Sequence, residues 1–241
     1  MHGEADPRRP ARGLLHALVQ FAIVARVHAS RYAVLTADVV QSRKVRDFQR
    51  VRDQRLAQVS RLHRHSQQIL APYTVTAWDE FQTVAREPSA VPGLLFDLRR
   101  LFYPLELVVA IGVGAARNVS KVPINVYAGG EAFERARAAA DDLKSGRSKY
   151  RLLTEINSGN PDFDRLVNFV YGLHDTLVQR ITNKQWETIN VQVEEGQQER
   201  TARRLRLNVS TVSRNLQRGF FWQMQDTIAA VRTLMLEHFS G

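Results

Sequence analysis

"YTVTAWDEFQTVA", Tyr73 to Ala85, alternates apolar and polar residues as a strand does, yet Trp78-Asp79-Glu80 interrupts the alternation. Two carboxylates and a large aromatic at the tip of a β-hairpin have two readings. One is a polar turn, since aspartate is common in turns. The other is a metal or phosphate site completed by an acid from elsewhere. "RYAVLTADVVQSR" (31–43) offers that acid: Asp38 sits inside a β-branched, strand-forming run, where an unpaired charge is costly to bury.

The surrounding chain supplies the topology. From Lys44 to Leu70, apolar residues recur at helical spacing, and Ala71-Pro72 ends the run, predicting one long amphipathic helix. His63 and His65 read as surface residues on it. "SAVPGLLFDLRRLF" predicts a helix that stops before Pro104. "LELVVAIGVGAARN" predicts a buried strand, and "GGEAFERARAAADDLKSG" an Ala-rich helix ended by Gly146. The expected fold class is α+β. A ferredoxin-like βαββαβ palm domain over 31–155 is followed by an all-α helix-turn-helix domain. Strand signals stop near residue 156. A linking helix over 156–182 starts at Pro161, and a helical domain covers 183–241.

In a βαββ order, the end of the first strand lies beside the tip of the next hairpin. Asp38 and Asp79 are therefore expected to converge, with the Val39 carbonyl as a further oxygen ligand. Such a set suits Mg²⁺, a hard cation that holds phosphates. Ser42 is a candidate N-cap of the long helix, and Arg43 and Lys44 would bring cations to that helix end. With Trp78 and Glu80 they make up the expected nucleotide or phosphate site; a solvated role for Arg43 and Lys44 is the plain alternative.

"YAVLTADVVQSR", "TAWDEFQ", "AIGVGAARN" and "YAGGEAFERARAAADDLK", in this order and spacing, resemble the SatD family. That family is in turn similar to the palm domain of class III nucleotide cyclases and GGDEF diguanylate cyclases. There, one acid in the first strand and one in the hairpin bind two metals over a nucleoside triphosphate. The resemblance implies that role for Asp38 and Asp79. Trp78 departs from it, standing where relatives usually have glycine. Glu134 and Ala138 fall near the positions of the transition-state asparagine and arginine, with Arg135 and Arg137 only close by, and an acid in place of the amide opposes catalysis. A ligand-binding or degenerate palm is favoured over an active cyclase.

"QERTARRLRLNVSTVSRNLQRG" (198–219) has helix-turn-helix spacing: small Thr201-Ala202 at the crossing, then apolar Val212 ten positions on and Leu216. Asn208 or Ser210 caps the second helix and Gly219 ends it. The run resembles the "iAxxLgxSxxTVsrxL" pattern of bacterial regulators, with Arg206 replacing the usual turn glycine. In such folds the second helix enters the major groove. Val209, Ser210, Ser213, Arg214 and Gln217 would face outward. Arg214 and Gln217 suit guanine and adenine edges, and Arg203, Arg204 and Arg218 suit phosphates. A helical pair packed on a partner subunit is the competing reading. The apolar helix from Phe220 onward reads as core or as a homodimer contact.

Composition agrees with a polyanionic partner. The net charge is +10, with 34 Lys and Arg against 24 Asp and Glu. The chain has no cysteine, which excludes disulfides and thiolate chemistry. No apolar run reaches the roughly 18 residues of a membrane span. Residues 1–30 have a weak signal-peptide outline, broken by His16, Gln20 and Arg26; an amphipathic helix or a disordered extension fits as well. The expectation is a cytoplasmic DNA-binding regulator whose palm senses a nucleotide or divalent ion. A metal-dependent nucleotidyl cyclase or nucleotidyltransferase is the alternative, and a scaffold with both sites vestigial a third.

Overall fold

The computed structural model describes residues 31–146 and 151–239; the expected extension over 1–30 lies outside them. Five strands form one mixed sheet: β1 (Arg31–Val39), β2 (Thr74–Val75), β3 (Glu80–Ala85), β4 (Leu107–Ala115) and β5 (Thr154–Asn157), in the order β2-β3-β1-β4-β5. The β-branched run of β1 is central and antiparallel to both neighbours, with Asp38 opposite Glu80 on one side and Val108 on the other. The hairpin pairs Thr74 with Gln82 and Val75 with Phe81, so its tip is residues 76–79.

β5 was not expected. Thr154-Glu155-Ile156-Asn157 has no apolar run, and β5 pairs parallel to β4, with Ile156 beside Ile111. A boundary after residue 155 therefore falls inside a strand. Tertiary contacts hold β5 in place: buried Asp175 accepts hydrogen bonds from the Leu153 amide (2.8 Å), the Thr154 hydroxyl (3.0 Å) and the Arg99 guanidinium (2.8 Å).

Strand alternation divides the sheet into two faces. Ala33, Leu35, Ala37 and Val39 of β1 join the main core with α1 (Phe48–His65) and α2 (Val91–Phe102). Val34 and Val84 point the other way, toward the four-residue helix α3 (Ile124–Tyr127) and α4 (Glu131–Ser145). A Cβ on Gly112 would lie 2.1 Å from the Ala132 carbonyl oxygen and 2.2 Å from the Ala136 nitrogen. That close approach accounts for the glycine in "IGVG". Gly146 ends α4 with φ 64°, as expected.

α1 is shorter than the predicted 44–70 helix. Ser42–Lys44 form a 3₁₀ turn, and Asp47, with φ 51°, precedes Phe48. Ser42 is not the cap of α1, because its hydroxyl donates to Asp79 Oδ2 at 2.7 Å. His63 is not a surface residue. It is fully buried, with Nδ1 3.1 Å from the Tyr73 hydroxyl and Nε2 3.2 Å from Asp97 Oδ2. Burial pushes the Asp97 carboxyl up, but the His63 contact and Arg100 outweigh it and hold it below the usual range.

The C-terminal helices are α5 (Pro161–Val178), α6 (Asn183–Glu195), α7 (Gln198–Leu205), α8 (Val209–Arg218) and α9 (Phe221–Phe239). Pro161 opens α5, and the Asn160 side chain accepts from the amides of Asp162 and Phe163. α5 and α9 belong to the main core through Phe163, Val167, Tyr171, Val231 and Met235. α6 to α9 build a second core of Trp186, Ile189, Ala202, Val212, Leu216, Phe221 and Met224, with Phe96 of α2 packed into it. The core reading of the segment after Phe220 accounts for these buried positions. Among the described residues, no helix is long and apolar enough to cross a membrane.

Candidate functional site

Period-two alternation puts Thr36 and Asp38 of β1 on the α4 face, beside Gln82 and Glu80 of β3. Asp38 and Glu80 are cross-strand neighbours of like charge, a destabilising pair if left alone. Lys144 of α4 answers it. Its ammonium lies 3.4 Å from Asp38 Oδ2 and 3.6 Å from Glu80 Oε2. Glu80 is otherwise held by the Thr76 hydroxyl at 2.8 Å, with the Arg137 guanidinium 4.0 Å away. Burial, then the charge of Asp79, raises the Asp38 carboxyl above its ordinary value, against the pull of Lys144.

Asp79 lies at the hairpin tip beside Asp38. Its carbonyl accepts from the Val39 amide at 3.1 Å, which ties the tip to the end of β1. Val39 itself is buried. Trp78 does not cover the carboxylates. Its ring stands 5.8 Å from Phe48, half exposed, and its carbonyl accepts from Arg52 at 2.5 Å. Arg43 and Lys44 are exposed on the 3₁₀ turn, not at the N-terminus of α1.

A cleft of about 630 Å³ opens on the same sheet face, lined by Thr36, Glu80, Gln82, Asn125, Glu134 and Arg137 among others. Gln82 donates to the Thr36 hydroxyl at 2.7 Å, so the floor of the cleft is polar and ordered. Sequence reasoning missed Lys144 and Asn125, which α4 and α3 bring in from far along the chain, while Arg137 lay close to the arginine position that the resemblance marked. Thr36 and Gln82 were within reach, because each lies two residues from an acid already singled out.

The donor set is all oxygen, which fits Mg²⁺ in kind. Burial first, then the charges of Asp79 and Glu80, raise the Asp38 carboxyl, and a dication would offset those charges. Among the described residues, however, no three His, Cys, Asp or Glu groups converge at metal-binding spacing. An ion here would be held by Asp38 and Asp79 and would keep most of its waters.

The second surface is formed by α7 and α8. Arg206 joins them in the left-handed conformation (φ 55°, ψ 43°), and the Leu207 amide donates to the Ala202 carbonyl at 2.9 Å. Asn208 precedes α8 and Gly219 ends it. Ala202, Val212 and Leu216 are buried; Arg203, Arg204, Val209, Ser210, Ser213, Arg214, Gln217 and Arg218 are all exposed. Arg204 differs from the others in being paired, 2.7 Å from Glu194 and 3.0 Å from Glu195.

A mixed α+β sheet protein with an appended helical core is thus defined. The chain belongs to the SatD family, whose model matches residues 32–220 and so takes in both the sheet with its carboxylates and the α7–α8 pair. No curated protein matches it.

Proposed function

We propose that the protein is a cytoplasmic DNA-binding regulator: α7 and α8 act as a helix-turn-helix, and a ferredoxin-like palm binds a nucleotide, a divalent ion or both. The observation that carries the reading is the α7–α8 surface. A tight left-handed turn at Arg206 buries the apolar side of the pair and leaves Ser210, Ser213, Arg214 and Gln217 exposed along one helix. Arg203 and Arg218 are exposed as well and suit phosphates. Arg204, held by two glutamates, contributes less than the sequence suggested. The net charge of +10 supports a polyanionic partner. The strand order β2-β3-β1-β4, antiparallel throughout, supports the palm reading, with β5 as an addition at one edge.

The test is gel-shift binding to a promoter-sized DNA pool across a salt series, for wild type and Arg214→Ala. A slope of log affinity against log salt near the number of neutralised phosphates is expected.

A nucleotidyl cyclase or nucleotidyltransferase is the second reading. The cleft with Arg137 near Glu80 favours it. Glu134 on the cleft wall and Lys144 on the carboxylates weigh against it, since a phosphate-facing acid opposes charge stabilisation. Product analysis after incubation with Mg²⁺ and GTP or ATP separates the two.

A further inference from the structure

Helix α5 carries a second, unclaimed pattern. One side of it is buried through Phe163, Val167 and Tyr171. On the opposite side Leu166, Phe169 and Leu173 are 49%, 58% and 57% exposed, although they are large and apolar. Single exposed apolar residues are ordinary, but three in a line on one helix mark an interaction surface. The line continues at both ends. Asp162, Leu166, Phe169, Leu173, Thr176 and Arg180 follow one another at spacings of 4, 3, 4, 3 and 4, and all six are exposed. At about 100° per residue the five positions from Asp162 to Thr176 stay within roughly 40° of one line along the helix, the seam geometry of paired helices, and Arg180 lies in the turn just past its end.

The stripe is also complementary to itself when reversed. Turned end for end about position 171, Asp162 meets position 180, Leu166 meets position 176, and Phe169 meets position 173. We infer that α5 is a homodimer interface in which the helices of two copies pair antiparallel across a two-fold axis near Tyr171. Phe169 then packs on Leu173 of the partner subunit, and Asp162 pairs with Arg180 of the partner subunit, each contact occurring twice as a two-fold requires. Asp162 also pairs with Arg165 of its own helix at 3.1 Å, so the apolar centre is the main contact, and the exchange of Asp162 onto Arg180 of the partner subunit sets the antiparallel register that selects a second copy.

The experiment is the mass of the full chain in solution by light scattering on a sizing column, with circular dichroism as the fold check. Wild type is expected at twice the 27.5 kDa monomer. Phe169→Glu is expected to be monomeric with an unchanged spectrum. Asp162→Arg is expected to weaken the dimer at least tenfold, and Asp162→Arg with Arg180→Asp to restore it. The chain has no cysteine, so Phe169→Cys with Leu173→Cys gives a clean cross-link on oxidation. A wild-type monomer at roughly 100 µM, a dimer that survives Phe169→Glu, or a charge swap without rescue overturns the inference.

Discussion

Lys144 stands 3.4 Å from Asp38 and 3.6 Å from Glu80, taking the place between two like-charged strand neighbours that a cation would take. Its removal should expose their repulsion. Lys144→Ala is expected to lower stability by about 1 kcal/mol, since the lysine is half exposed and screened. It should also make the melting temperature depend on millimolar Mg²⁺ more steeply than in wild type, and Asp38→Asn in the same background should abolish that dependence. Thermal melts with and without Mg²⁺ check this. A Lys144→Ala protein indifferent to Mg²⁺ would remove the metal from the account.

Glu155 of β5 gives a pH dependence. Burial, then Asp142 and Asp164, pushes its carboxyl from 4.5 up to about 7. Between those values the folded protein holds a proton that the unfolded chain has released, so this group's contribution to stability is full below pH 4.5 and is lost as pH rises through 7. Glu155→Gln should therefore stabilise the protein at pH 8 and not at pH 4. For a half-buried, screened group about 1 kcal/mol is expected, or roughly 2–4 °C. Melts at the two pH values read it directly.

The Arg99–Asp175 pair is buried on both sides. Asp175→Ala would strand the guanidinium and release the Leu153 amide and the Thr154 hydroxyl together. A loss of about 3–5 kcal/mol is expected, with β5 the first element to open. Urea unfolding gives the loss, and amide exchange at Ile156 locates it.

Arg206 adopts φ 55°, a conformation that disfavours side chains with a Cβ. Arg206→Gly should raise stability by about 1 kcal/mol while leaving the two helices in place. An increase in melting temperature with an unchanged circular dichroism spectrum is the expected result.

Periodicity carried most of the fold. The β-branched run of β1, the alternation around Trp78-Asp79-Glu80, the proline-bounded run of α2 and the Ala-rich, glycine-ended run of α4 are local signals, and those elements form where they lie. β5 was illegible because its four residues gain their place from Asp175 and Arg99, far away in sequence. The buried state of His63 was hidden for the same reason: its partners Tyr73 and Asp97 come from other elements. In the site, the βαββ order made Asp38 and the hairpin tip readable as neighbours, but not that Glu80 stands directly across the strand from Asp38. Lys144 comes from a helix whose packing depends on Gly112, so no local pattern announced it.

The DNA-binding claim is tested most directly by the salt series on wild type and Arg214→Ala. Submicromolar binding at low salt, weakening steeply with salt and by about tenfold or more on the substitution, is the predicted result. No binding at low salt, or binding indifferent to Arg214, would contradict the account and leave α7 and α8 as a packing element.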